Sequence, residues 1–129
     1  MKALTGYEQG FLEGVIDGEG HLYAYESRQQ KKWTHWHVGL SIANNSKKLL
    51  EKVEQIVGKG SWICKNGKSW ELRYSSNTLR WLLPQLNLIV NREKKEKILK
   101  ILSILKHGRN RFTPSYDDRI RAILSIKSP

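Results

Sequence analysis

Asp17 and Glu19 stand two residues apart, flanked by Gly18 and Gly20, in a chain of 129 residues with only 12 Asp and Glu. Residues 7–17 (YEQGFLEGVID) carry Phe11, Leu12, Val15 and Ile16 at helical spacing, which predicts a first helix over about 7–18. Both acids then fall at or just past its C-terminal end, where a carboxylate faces the negative pole of the helix dipole. Such a placement calls for a compensating cation, and hard oxygen donors suit Mg2+. A turn with incidental acids is the other reading. Gly6, Gly10, Gly14 and Gly18 recur every four residues through the same segment. Each interior glycine costs a helix about 1 kcal/mol relative to alanine, so four in one register imply a backbone packed closely against them. That backbone belongs either to another helix of the same chain or to a second copy about a two-fold axis.

The elements that must position these groups follow from periodicity. HLYAYES (21–27) switches to period two, QQKKWT reads as a polar turn, and WHVGLSIA (36–43) alternates again with Trp36, Val38, Leu40 and Ile42 on one face. Asn44, Asn45 and Ser46 supply cap chemistry for a helix KKLLEKVEQIV that ends at Gly58. SWICK and SWELRYS form a second hairpin turning at Asn66-Gly67, with Trp70, Leu72 and Tyr74 inward and Glu71 and Arg73 outward. Ser76 or Asn77 caps a short helix broken near Pro84. A long basic helix spans about 92–106, and a last helix runs from Pro114 through Ile123. The fold class is α+β, with the order α-β-β-α-β-β-α plus C-terminal helices: one antiparallel sheet with helices on one face and the other face open. The open face carries His21, Tyr23, Tyr25, Ser27, His35, His37, Ser41, Glu71 and Arg73, with Lys65 and Lys68 at or near the second turn. It is either an ordinary solvated face or a surface that reads base edges in a DNA groove.

Composition narrows the partner. Lys and Arg number 23 against 12 acids, a net charge of +11, and nucleic acid is the commonest polyanion that relieves such self-repulsion. The length fits one domain, 1–129. A single Cys excludes an internal disulfide, and no Cys/His cluster has zinc spacing. No apolar run approaches the ~20 residues of a membrane span, and the N-terminal stretch lacks a signal-peptide core. The expectation is a soluble, intracellular, basic domain with no membrane partner.

The segment LEGVIDGEG (12–20) resembles the signature of the LAGLIDADG homing endonucleases, matching in register at Leu12, Gly14, Ile16, Asp17 and Gly20. With the strands, the Asn-Asn-Ser before a helix and the second hairpin, the resemblance covers most of the chain and points to the single-motif homodimeric branch. It implies a saddle-shaped four-stranded antiparallel sheet facing double-stranded DNA, with helices on the other face. It further implies metal-dependent cleavage of both strands at a long palindromic or pseudo-palindromic site, leaving short 3′ overhangs.

Carried over residue by residue, the resemblance makes Glu19 the metal-ligating catalytic acid, with Mg2+ as cofactor, and Asp17 a structural acid at the helix interface. Gly10, Gly14 and Gly18 join Asp17 in the dimer interface. Asn44 matches the polar residue near the attacking water, with Asn45 one register slip away. The basic residue that completes the pocket falls in strict register on Asn91, and Arg92 or Lys94 substitutes for it. The open-face residues become base or phosphate contacts, joined by Arg28, Lys31 and Lys32 in the first turn and by Lys65 and Lys68. The alternative is a non-cleaving binding protein on the same fold, an RNA-splicing maturase with RNA as a partner or a DNA-binding regulator.

Overall fold

A computed structural model describes residues 2–29, 33–65, 68–107 and 114–125. The first helix, α1 (Gly6–Glu19), begins one residue earlier than the apolar spacing suggests because Thr5 and Glu8 close a capping box. The Thr5 hydroxyl accepts from the Glu8 N–H, and the Glu8 carboxylate accepts from the Thr5 N–H. It runs on through Glu19, so both acids lie inside the helix rather than beyond it.

The chain turns directly into β1 (Gly20–Gln29), which pairs antiparallel with β2 (Trp33–Asn44). Both strands are longer than their alternating apolar cores. Gln29 pairs with Trp33 and Arg28 with Thr34, so the ladder continues into the stretch expected as a polar turn, because backbone pairing does not depend on an apolar face. Ser46 caps α2 (Lys47–Val57), its hydroxyl accepting from the Leu49 N–H. Gly58 ends the helix at φ +110°, a left-handed conformation that side-chain-bearing residues rarely adopt.

β3 (Ser61–Lys65) and β4 (Ser69–Ser75) form the second hairpin, and β4 docks on β2, giving the sheet order β1-β2-β4-β3. The Asn66-Gly67 turn lies outside the described residues. The next helix, α3 (Ser76–Leu82), follows β4 without a break. The expected cap at Ser76 or Asn77 is not formed: Ser75 holds the cap position and its side chain makes no capping bond. A 3-10 turn over Leu83–Gln85 accommodates Pro84, and α4 (Arg92–His107) and α5 (Pro114–Ser125) complete the chain.

One face of the sheet is covered. Leu22, Trp36, Val38, Leu40, Ile42, Leu72 and Tyr74 pack with Leu12 and Ile16 of α1, Leu50, Val53 and Val57 of α2, and Leu79 and Leu82 of α3. Ile98, Ile101 and Leu102 of α4 and Ile120 of α5 close the same core. Tyr74 is buried in it and donates to the Gly58 carbonyl at 2.8 Å; burial, with the nearby Glu54 charge, pushes its phenol well above the usual range. Among the described residues no helix packs on the opposite face of the sheet, as the alternation predicts. No helix among the described residues is long and apolar enough to cross a membrane.

Candidate functional site

The C-terminal end of α1 separates the two acids by role. Asp17 turns toward the segment that leads into α4. Its carboxylate accepts from the backbone N–H of Ile89 at 2.7 Å, and from the N–H and side-chain amide of Asn91 at 3.0 and 3.3 Å. Burial pushes this carboxyl upward, but the amides of Ile89, Asn91 and Val90 and the Asn91 side chain outweigh it and hold the group below its ordinary value. Asp17 is therefore compensated by N–H donors of its own chain, and the cation expected to offset it is not required. Asn91, in the register where the resemblance places a basic residue, is buried and also donates to the Ile16 carbonyl at 3.1 Å.

Glu19 is different. It is exposed at the last residue of α1 and has no hydrogen-bond or ion-pair partner among the described residues. Pairing of Gly20 with Ile42 puts Glu19 at the same end of the sheet as Ala43 and Asn44. Asn44 ends β2, half-buried, and its Oδ1 accepts from the Ser46 N–H at 2.7 Å, a turn preceding α2. Lys94 lies in a recess with His21, Tyr23, Tyr25 and Lys97, beside the start of β1. Arg92 lines another recess with Asn87, Ile89, Lys95 and Glu96, and its guanidinium sits 3.7 Å from the Glu96 carboxylate in an exposed pair. The structure thus brings Lys94, and not Arg92, to the β1 side.

Along α1, the glycine register faces outward. The helix's own backbone aside, no atom of the described residues lies within 4 Å of a Cβ built at Gly6, Gly10, Gly14 or Gly18, and all four residues are exposed. Packing against another helix of the same chain is overturned among the described residues, since α2 to α5 pack elsewhere.

On the open face a recess of about 380 Å³ is lined in part by Tyr23, His35, His37, Ser61, Arg73 and Ser75. Rings run across the open face: His21 to Tyr23 at 6.1 Å between centroids, Tyr23 to Tyr25 at 5.9 Å, Tyr25 stacked on His37 at 4.7 Å, and His37 against the edge of His35 at 4.6 Å. The Ser27 hydroxyl lies 2.9 Å from His37 Nε2. Burial, with the neighbouring His35 charge, holds the His37 imidazole below its ordinary value. Ser41 lies on this face between His21 and Arg73, and Lys68 is exposed beyond the start of β4. Glu71 corrects an expectation: it is on the open face by register, but only 2% exposed, packed against the Arg73 guanidinium. Lys31 and Lys32 lie outside the described residues, as do the side chains of Arg28 and Lys65.

No family model matches the chain, and no curated protein matches it. Solved structures do. The archaeal intron-encoded homing endonuclease I-Vdi141I, in complex with DNA, superposes with a TM-score of 0.79 at 20% identity over 91% of this chain and 79% of that one. The homing endonuclease I-TnaI does so at 0.78 and 19%, over 95% and 86%. The LAGLIDADG homing endonuclease I-SmaMI, bound to cleaved DNA, matches at 0.80 and 19% over 98% of this chain but 45% of that one. The chain has the fold of the LAGLIDADG homing endonucleases. It spans less than half the length of I-SmaMI.

Within the LAGLIDADG fold, Gly39, which strand alternation puts on the open face, has a role that alternation does not announce. A Cβ there would lie 2.6 Å from Tyr23 Cζ and 2.7 Å from the Tyr74 carbonyl oxygen, so its absence leaves room for the phenol end of Tyr23 over β2. The signal was a lone glycine interrupting an otherwise alternating strand. Lys97, expected with Lys94, Lys95 and Lys100 as a solvated helix face, lines the same recess as Lys94.

Proposed function

We propose that the chain is a site-specific double-strand DNA endonuclease that works as a homodimer on a palindromic or pseudo-palindromic site. It hydrolyses phosphodiesters with a divalent metal and leaves short 3′ overhangs. The observation that carries this reading is Glu19: an exposed carboxylate with no partner in the described chain, at the end of a helix whose glycine edge is bare, beside a concave aromatic and basic face. The LAGLIDADG fold supports it, since I-Vdi141I and I-SmaMI with that fold are DNA complexes, one of them holding calcium ions.

The donor chemistry fits Mg2+. Among the described residues no cluster of three or more His, Cys, Asp or Glu could hold an ion alone. One hard carboxylate per copy suits a cation that keeps its waters and takes further oxygens from phosphate. When bound, Mg2+ would supply Lewis-acid stabilisation of phosphate charge and activation of water. Glu19 would hold it, joined by Glu19 of a second copy across the α1 edges. Asn44, its Oδ1 committed to Ser46, keeps its side-chain N–H donors for orienting a water. Lys94 offers a positive charge for the developing negative charge on phosphate. Gly10, Gly14 and Gly18 would let the two α1 backbones approach, with Asp17 bracing each helix end from within its own subunit.

The test is cleavage selection from a randomised palindromic duplex library with Mg2+, and binding selection from the same library with Ca2+. The wild type should cut a single family of sites, and Glu19→Gln should bind those sites within about threefold of wild type while losing cleavage by at least 100-fold, the scale for removing a principal catalytic group. Equal cutting by Glu19→Gln overturns the catalytic assignment. Sequence-specific binding without cutting by the wild type makes the chain a binding protein on the same fold.

A further inference from the structure

Glu71 and Asn91 are the buried polar side chains of the described core, and Asn91 joins the entry of α4 to α1 through the Ile16 carbonyl. Glu71 lies in mid-β4 on the open face, between Ala43 of β2 and Ile63 of β3. Arg73 is two residues on, on the same face, between Ser41 and Ser61. Its Nε donates to Glu71 Oε2, and its side chain is 45% exposed against 3% for that of Glu71. Desolvating a carboxylate to pair it in this way is costly, and apolar residues of similar volume usually stabilise a fold at least as well. The arrangement therefore calls for a reason other than stability.

The geometry points to Arg73 as the residue that reads a guanine in each half-site through its two terminal nitrogens, with Glu71 as the positioning residue that holds the guanidinium for it. This rests on the DNA-binding role proposed above. With Nε taken by Glu71, Nη1 and Nη2 make no hydrogen bond among the described residues and form the free end of a planar fork. Guanine N7 and O6 are paired acceptors on the major-groove edge, the best match to such a fork. A guanidinium already fixed on one side loses less freedom on binding, so the right base gains most. Tyr23, its phenol end over Gly39, shares the concavity with Arg73. Glu71 cannot itself accept from a cytosine amine while it is this deeply covered.

The experiment is binding selection by the full chain from a randomised duplex pool in Ca2+, with no need of cleavage, for wild type, Glu71→Gln, Glu71→Asp and Arg73→Ala. Wild type should enrich guanine at one symmetric pair of positions, and Arg73→Ala should lose that enrichment and no other. Glu71→Gln should lower the preference for that guanine by about tenfold while its affinity for unselected DNA stays level or rises, because a negative charge has gone. Glu71→Asp should restore part of the preference, since it keeps the charge. Melting temperatures are measured alongside; if Glu71→Gln does not fold, Glu71→Asp and Arg73→Ala decide the matter by the same motif.

Unchanged guanine preference in folded Glu71→Gln overturns the positioning role. Loss of affinity for all sequences alike in Arg73→Ala, with a shallower salt dependence, makes Arg73 a phosphate contact and overturns the inference. Wild type that selects a motif without an Arg73-dependent guanine overturns it while leaving the proposed function standing. Wild type that retains no duplex removes that function as well.

Discussion

The Asp17 carboxylate accepts hydrogen bonds from both the backbone N–H and the side-chain amide of Asn91, 74 residues further along the chain. Through these and the Ile89 amide, the C-terminal end of α1 is fastened to the entry of α4. The acid that stands against the dipole of its own helix thus serves the approach to the next one, where N–H groups are without helical partners. Glu19 is left at the surface two residues away. The division of labour between the two acids is a consequence of this one contact.

Asp17→Asn should therefore lower stability without touching Glu19. Its carboxyl is held below the ordinary value in the fold, so it contributes stability that is present above the unfolded value of about 3.9 and lost as pH falls through the lower folded one. At pH 7 the substitution should cost about 1–2 kcal/mol, the range for hydrogen bonds to a charged capping group. Urea unfolding at pH 7 and at pH 3 checks this: the gap between the two proteins should narrow at the lower pH.

Gly14→Leu separates chain stability from assembly. With nothing within 4 Å of a Cβ at Gly14, the single chain should accommodate leucine. Its α1 should gain up to about 1 kcal/mol of helix propensity. If the glycine edge is where two copies meet, the same leucine drives the backbones apart. The expected outcome is a folded monomer by sedimentation velocity where the wild type is a dimer, and DNA cleavage lost with it. A dimer that persists places the interface elsewhere.

His37 gives the surface a pH dependence of opposite sign in the free and bound protein. Its folded value is lowered by burial and by His35, so the neutral form is favoured, and stability present above the unfolded value of about 6.5 is lost as pH falls through the folded one. DNA phosphate favours the imidazolium, so binding should take up protons. Affinity should rise as pH falls from about 7 to about 5 more steeply for wild type than for His37→Gln, while thermal stability of the free protein falls only below about 6.5. Fluorescence anisotropy and melting at each pH check both limbs.

Much of this architecture is legible locally. The strand cores alternate, Ser46 precedes a clean helical stripe, and the two acids stand out among basic residues. What escapes is set by contacts distant in sequence. The donors to Asp17 come from residues 89–91, and no spacing near residue 17 announces them. The burial of Glu71 depends on Arg73 together with neighbours on β2 and β3, which the order β1-β2-β4-β3 brings together only after folding. The outward face of the glycine register depends in the same way on α2 to α5 packing elsewhere. Two features were within local reach: the Thr5–Glu8 capping box that starts α1, and the lone Gly39 beneath Tyr23.

Position favours Lys94 over Arg92 as the basic residue of the proposed pocket. Arg92 lies in an exposed i, i+4 pair with Glu96, an arrangement worth about 0.3–0.5 kcal/mol, and opens on the Asn87 and Ile89 side. Lys94 lines a recess with His21, two residues along the chain from Glu19, and on the proposed function it is the residue expected to meet the phosphate. Lys94→Ala should reduce the single-turnover cleavage rate by at least about tenfold, as expected for loss of one positioned charge at a reacting phosphate. Arg92→Ala should change it by less than about twofold, within the range of an exposed pair of small energetic weight. Both variants lose one positive charge and should weaken binding at low salt alike, so binding measured beside cleavage removes the general effect of charge. A rate that falls for Arg92→Ala and holds for Lys94→Ala would assign the pocket to the other side of α4.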